Sequence, residues 1–143
     1  MNPALMGDMN GFVNSSNAMY TMLHAANGWH LFQKDMDVPG TMTSQLWVFM
    51  DETMYTLDDG YLECDLDGYT YPDCAGSYDC GGTCISFFDG HAEYHKWVYP
   101  GGNYVGIKSA PYAYGVTRNP GPNITTAGND PDYRWMQSHT SYK

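Results

Sequence analysis

The stretch CISFFDGHAEYHKW, residues 84–97, decides the architecture. Two strand-like runs flank Asp89-Gly90, and Asp-Gly in that setting is a strong hairpin signal because a two-residue type I′ turn needs positive φ at both central positions. A two-residue loop pairs Phe88 with His91, Phe87 with Ala92, Ser86 with Glu93, Ile85 with Tyr94 and Cys84 with His95. Cross-strand partners share a face. One face then carries Ile85, Phe87, Ala92 and Tyr94 and belongs on a core. The other carries Cys84, Ser86, Phe88, His91, Glu93, His95 and Trp97, and any chemistry is expected there.

Outward from the hairpin, QLWVFMDE (45–52) is apolar, β-branched and aromatic and predicts a strand, as does GWHLF (28–32). Between them DMDVPGTMTS is a loop around Pro39-Gly40. After the turn DDG (58–60), YLECDLDG (61–68) alternates Leu62, Cys64 and Leu66 with Glu63, Asp65 and Asp67, one face inward and one acidic. SSNAMYTMLHAA, from Ser15 to Ala26, fits a short helix with Met19, Met22, Leu23 and Ala26 on one side. Residues 99–129 are rich in Gly, Pro and Asn. At the end, Asp130 as N-cap, Pro131 at the first helical position and Asp132 in the first turn predict a short C-terminal helix. The division is one domain over 1–143: irregular with a short helix to 27, sheet over 28–98, irregular over 99–129, helix over 130–141. The fold class is α+β, mainly antiparallel, with four or five strands.

The 143 residues carry 6 basic and 16 acidic side chains, a formal net charge of −10. That balance excludes nucleic acid and anionic membrane surfaces as partners, since phosphate binding needs clustered Lys and Arg. Between Lys34 and Lys96 there is no basic residue, and thirteen of the sixteen acids lie in that gap. The segment is either a solvated anionic face or a cation site. Asp58, Asp59, Asp65 and Asp67 are the candidate Ca²⁺ ligands, with Asp51 and Glu52 near in sequence. DLDG resembles the opening of an EF-hand loop, but its twelfth position is Gly76, which excludes that motif.

His91, Glu93 and His95 alternate on one strand and point the same way, a pattern that suits either Zn²⁺ or Cu²⁺ or simply a polar solvent face. With Asp89 they are the candidate catalytic residues. Ser86, opposite Glu93, invites a nucleophile–base reading that lacks a G-x-S-x-G elbow. The abundant Tyr and Trp side chains suit a carbohydrate-stacking platform or ordinary core and rim.

Cys64, Cys74, Cys80 and Cys84 are spaced C-x9-C-x5-C-x3-C. Without paired C-x2-C knuckles, two disulfides are a better reading than zinc. Three pairings exist; Cys80–Cys84 with Cys64–Cys74 is marginally preferred on proximity. Disulfides imply an oxidising compartment, yet neither a signal peptide nor a membrane-spanning run is present. The expectation is that an N-terminal segment is missing from this chain.

FFDGHAEYHKW resembles the signature of prepilin-type proteins, of planctomycete and verrucomicrobial type, named for a His, nine residues and Asp-Gly. GWHLFQK, LWVFMDE with DDGYLECDLDG, and NDPDYRWMQSHTS resemble further blocks of that family in the same order, covering roughly residues 28–98 and 129–141. At the signature His this chain has Asp79, and the family's basic leader and long apolar helix have no counterpart. The resemblance implies a pilin-like globular head lacking its N-terminal helix, an extracytoplasmic location, and a structural or binding role beside other pilin-like subunits or cell-surface components in a type II secretion-like or type IV pilus-like system. Loop Ca²⁺ is the implied cofactor. A small secreted hydrolase or metal-dependent enzyme acting on carbohydrate or ester substrates is the alternative.

Overall fold

The computed structural model describes residues 1–5, 29–30, 32, 34–54, 56–57, 62, 64, 66, 70–71, 73–78, 80–98, 107, 124–125 and 130–142. Five strands and one α-helix occur among them: β1 (Trp47–Met50), β2 (Thr70–Tyr71), β3 (Gly82–Phe87), β4 (Ala92–Lys96), β5 (Ile124–Thr125) and α1 (Pro131–Thr140). The class is α+β with antiparallel sheet, as expected. The strands form no single four- or five-stranded sheet among the described residues: β1-β3-β4 make one sheet, and β2 pairs with β5 in a separate two-stranded ladder. Ile124 and Thr125 thus form a strand inside a stretch read as irregular. Trp29, His30 and Phe32 do not join a sheet either. His30 donates its N–H to the Tyr142 carbonyl, and Phe32 donates to Ala4. The helix predicted from Ser15 to Ala26 lies outside the described residues.

The hairpin forms, but its loop is one residue longer than the Asp-Gly signal predicts. Ser86 pairs with Ala92, Ile85 with Glu93, Cys84 with Tyr94 and Thr83 with His95. Phe87 N donates to His91 O, and Gly90 N donates to Phe87 O across the turn. Among the described residues only Cys80, Gly81 and Gly90 have positive φ, Gly90 at 91°. A type I′ turn would require it of Asp89 as well. The loop is therefore Phe88-Asp89-Gly90, a turn followed by a left-handed glycine bulge. Tertiary bonds hold it open: Phe88 N donates to Leu46 O and Asp89 N to Thr43 O.

That one-residue slip overturns the face assignment. Ile85 and Phe87 are buried as expected, yet their cross-strand neighbours are Glu93 and His91, while Ala92 and Tyr94 lie on the outer face and are exposed. Trp97, read as part of the polar face, is fully buried, its indole N–H donated to the Gly76 carbonyl at 2.8 Å.

The main core gathers Trp47, Leu62, Cys64, Leu66, Ile85, Phe87, Trp97, Ile107, Tyr133 and Met136, with Trp29, Met50 and Trp135 packed against it. The inward alternation of Leu62, Cys64 and Leu66 stands; all three are buried. A second cluster joins Ala4, Phe32, Val38 and Leu46. Helix α1 begins as predicted, the Asp130 carboxylate accepting from the N–H groups of Asp132 and Tyr133 at 2.8 and 3.3 Å. Asp132 accepts from Val98 N at 3.1 Å, which pins the first turn of the helix to the end of the hairpin.

Two glycines offer a clean contrast. A Cβ on Gly82 would strike the His95 carbonyl oxygen and come within 2.6 Å of the Tyr94 ring, whereas one on Gly90 meets nothing and costs only its left-handed φ. Gly90→Ala is expected to lose about 1 kcal/mol in urea unfolding, and Gly82→Ala about 3 kcal/mol or more, because backbone must move. Equal losses would show that the outer face is not packed as described.

Candidate functional site

The four residues expected to carry chemistry separate along the hairpin. At the turn, Asp89 folds back so that one carboxylate oxygen accepts from His91 N at 3.1 Å and lies 2.5 Å from His91 Nδ1. The hydrogen bond from the His91 ring, and then that from its backbone N–H, lower the Asp89 pKa below the ordinary carboxylate value. An ionised carboxylate cannot donate, so the shared proton belongs to Nδ1 and Nε2 carries the lone pair when His91 is neutral. The His91 ring lies flat on Phe87, with centroids 4.4 Å apart and an interplanar angle of 1°. This is an oriented imidazole, able to accept a proton or ligate a metal through Nε2.

Ser86 plays no part in it. Its hydroxyl sits on the other face, 3.2 Å from Phe49 N, spanning the irregularity between Trp47 and Phe49 where β1 shifts register against β3. The nucleophile–base reading of Ser86 is thereby overturned.

At the far end of β4, His95 belongs to an aromatic stack that sequence reasoning missed. Its ring is 4.6 Å from Trp97, edge-on, and 4.1 Å from Trp135. His139, one helical turn beyond Trp135 on α1, stacks on the same indole at 4.1 Å and 13°. Its Nδ1 donates to the Trp135 carbonyl at 2.8 Å. The pattern Trp-x3-His in a predicted helix was the available signal, since positions four apart are neighbours on a helix. Burial lowers the pKa of both imidazoles, the nearby Glu93 carboxylate opposing it in each case. Glu93 itself is exposed.

Among the described residues no group of three or more His, Cys, Asp or Glu side chains converges in a metal-holding arrangement. Asp58, Asp59, Asp65 and Asp67 lie outside the described residues, as does Asp79. No disulfide joins the four cysteines in the structure. Cys64 and Cys74 are buried in the main core, Cys80 and Cys84 are exposed, and desolvation first, then the charge of Asp73 and that of Glu52, drive the Cys74 pKa far up. No described helix is long and apolar enough to cross a membrane. Compared with family models, curated proteins and solved structures, the chain matches none.

The lowered His95 and His139 pKa values set a pH dependence. Below an ordinary imidazole pKa of about 6.5 the unfolded chain takes up protons that the folded one resists, so stability rises with pH there and is lost on acidification. Urea midpoints are expected to fall from pH 7.5 to 5.5, and His139→Gln to flatten that dependence. A midpoint that rises on acidification would place net attraction by Glu93 above desolvation.

Proposed function

We propose that this chain is the extracytoplasmic globular part of a pseudopilin-like protein, a non-enzymatic structural or binding module working beside other pilin-like subunits or cell-surface components of a type II secretion-like or type IV pilus-like system. One observation carries the reading. The sequence blocks on which the resemblance rests are scattered over residues 28–141, yet Trp29, Trp47, Leu62, Phe87, Trp97 and Tyr133, one or more from each block, meet in a single core. Blocks that recur in one order and pack on one another are what a shared fold requires. The exposed apolar side chains Phe49, Tyr94 and Val98 fit a surface used for contact. Cross-linking in source cells followed by mass spectrometry is expected to join this chain to pilin-like subunits. Ester or glycoside turnover abolished by His91→Ala would instead establish the hydrolase that the Asp89–His91 pair allows, and would overturn the module.

Two consequences belong to the same reading. In protein recovered from an oxidising compartment, the cysteines are paired as Cys64–Cys74 and Cys80–Cys84. The sorting into two buried and two exposed thiols supports this pairing. Thiol titration in denaturant is expected to find none, and four titratable thiols would overturn it.

The second consequence is Ca²⁺ held by Asp58, Asp59, Asp65 and Asp67. Carboxylates crowded without basic neighbours repel one another unless a cation intervenes. Millimolar Ca²⁺ is expected to raise the melting temperature above that in chelator and above that in Mg²⁺ of equal ionic strength, by mass action. Equal shifts with the two cations would reduce the effect to screening.

A further inference from the structure

The backbone that follows β1 gathers exposed apolar side chains into one strip. The Thr53 carbonyl accepts from Thr56 N and Leu57 N, each at 3.1 Å, and this single turn brings Met54 and Leu57 to the same side. Met54 N donates to the Tyr78 hydroxyl at 2.5 Å, which holds the tyrosine ring beside them. Gly76 donates its N–H to Asp51 O, and a Cβ placed on it would lie 3.1 Å from Asp51 Cβ and 3.2 Å from the Tyr78 ring. Asp51 and Tyr78 therefore flank the same glycine. Phe49 alternates with Asp51 along the strand and shares its face. Met54 is 63% exposed, Leu57 50%, Tyr78 54% and Phe49 55%, half of the eight large apolar side chains exposed among the described residues. Exposed apolar groups gathered in this way mark a contact surface.

The strip stands in a field of one sign. Asp51 is exposed within it. Asp51 and Glu52 precede the turn in sequence, Asp58 and Asp59 follow it, and no Lys or Arg lies between Lys34 and Lys96. The field reaches inward: desolvation raises the Cys74 pKa, and the charges of Asp73 and Glu52 add to the rise. A second copy of this chain is a poor occupant, because a twofold contact would set these acids against themselves. Complementarity calls for apolar side chains accompanied by positive charge.

We propose that Phe49, Asp51, Met54, Leu57 and Tyr78 form the docking surface for a cationic amphipathic segment of a partner protein. Its apolar side chains rest on Met54, Leu57 and Tyr78, and its Lys or Arg side chains lie beside Asp51. The inference stands on the exposed strip and its charge, whatever the role of the module.

The test is fluorescence anisotropy of a short labelled peptide with Leu on one helical face and Lys on the other, with chelator present so that no divalent cation screens the acids. The wild-type chain is expected to bind it, to bind a Leu→Ser version at least about tenfold more weakly, and not to bind a Lys→Glu version. Leu57→Ser weakens binding by about fourfold to twelvefold, the effect of leaving half a leucine side chain unburied. Asp51→Asn weakens it by about twofold to fivefold at about 20 mM salt and leaves it unchanged at about 500 mM. Met36→Ser, which removes an exposed methionine that also stands between two aspartates but belongs to the loop before β1, leaves binding unchanged. Absence of binding overturns the proposal. So does equal binding of the Leu and Ser peptides, or a loss with Met36→Ser that matches Leu57→Ser, because attraction by net charge alone would then explain the result. A wild-type dimer in sedimentation velocity that Leu57→Ser dissociates would overturn it in favour of a second copy.

Discussion

The indole N–H of Trp47 is donated to the Thr140 hydroxyl at 2.9 Å, and that bond stands at the centre of the described fold. Both residues are fully buried, one at the start of β1 and the other at the last residue of α1. The Thr140 hydroxyl passes the bond on to the Met136 carbonyl. The side-chain amide of Asn2, also fully buried, donates to the backbone carbonyls of Trp47 and Thr140 at 2.7 and 3.3 Å and accepts from Ala4 N. Sheet, helix and the first residues of the chain are therefore joined by a polar network in which each named donor has its acceptor. Buried networks of this kind hold a unique arrangement because a half-satisfied one costs more than an apolar contact. The Thr140 carbonyl is one of the orphan acceptors at a helix end, and Asn2 supplies what the helix cannot.

The bonds that tie that network together are not legible in sequence, because they join residues 45, 93 and 138 positions apart. What is legible is local. The N-cap of α1 followed from Asp-Pro-Asp alone, since a carboxylate before a proline has one economical place in a helix. The inward row Leu62, Cys64 and Leu66 followed from alternation, and β1 from its β-branched and aromatic run. The GWHLF segment shows the limit. It has a strand's composition, but His30 bonds to Tyr142 and Ser141 and Phe32 to Ala4, none of them in a described strand, and composition does not say whether a partner strand will be there.

The turn is the more instructive case. Asp-Gly correctly marked where the chain reverses, yet loop length is not set by the dipeptide. Thr43 and Leu46, some forty residues earlier, accept hydrogen bonds from Asp89 and Phe88 and hold the loop one residue wider. Because strand side chains alternate with period two, that single residue exchanges the faces of the returning strand. A local signal thus fixed the existence of the hairpin, and a distant contact fixed which way every side chain of β4 points.

The exchange explains how polar side chains come to share a face with Ile85 and Phe87. The inner face of β4 carries His91, Glu93 and His95, and each is accommodated differently along the strand. His91 sits at the tip, its edge bonded to Asp89 and its ring spread over Phe87, so the imidazole serves as an apolar lid. Glu93 stays exposed, and there its charge keeps its water. His95 reaches the helix and gives its ring to Trp97 and Trp135, and burial there favours the neutral form. Imidazole is the side chain suited to both ends of this row, because it is polar at its nitrogens and flat and stackable across its face. A motif that reads as a cluster of ligands in one dimension is, in three, a graded passage from a hydrated turn to an aromatic core. Its residues act separately because the strand carries them to different neighbours.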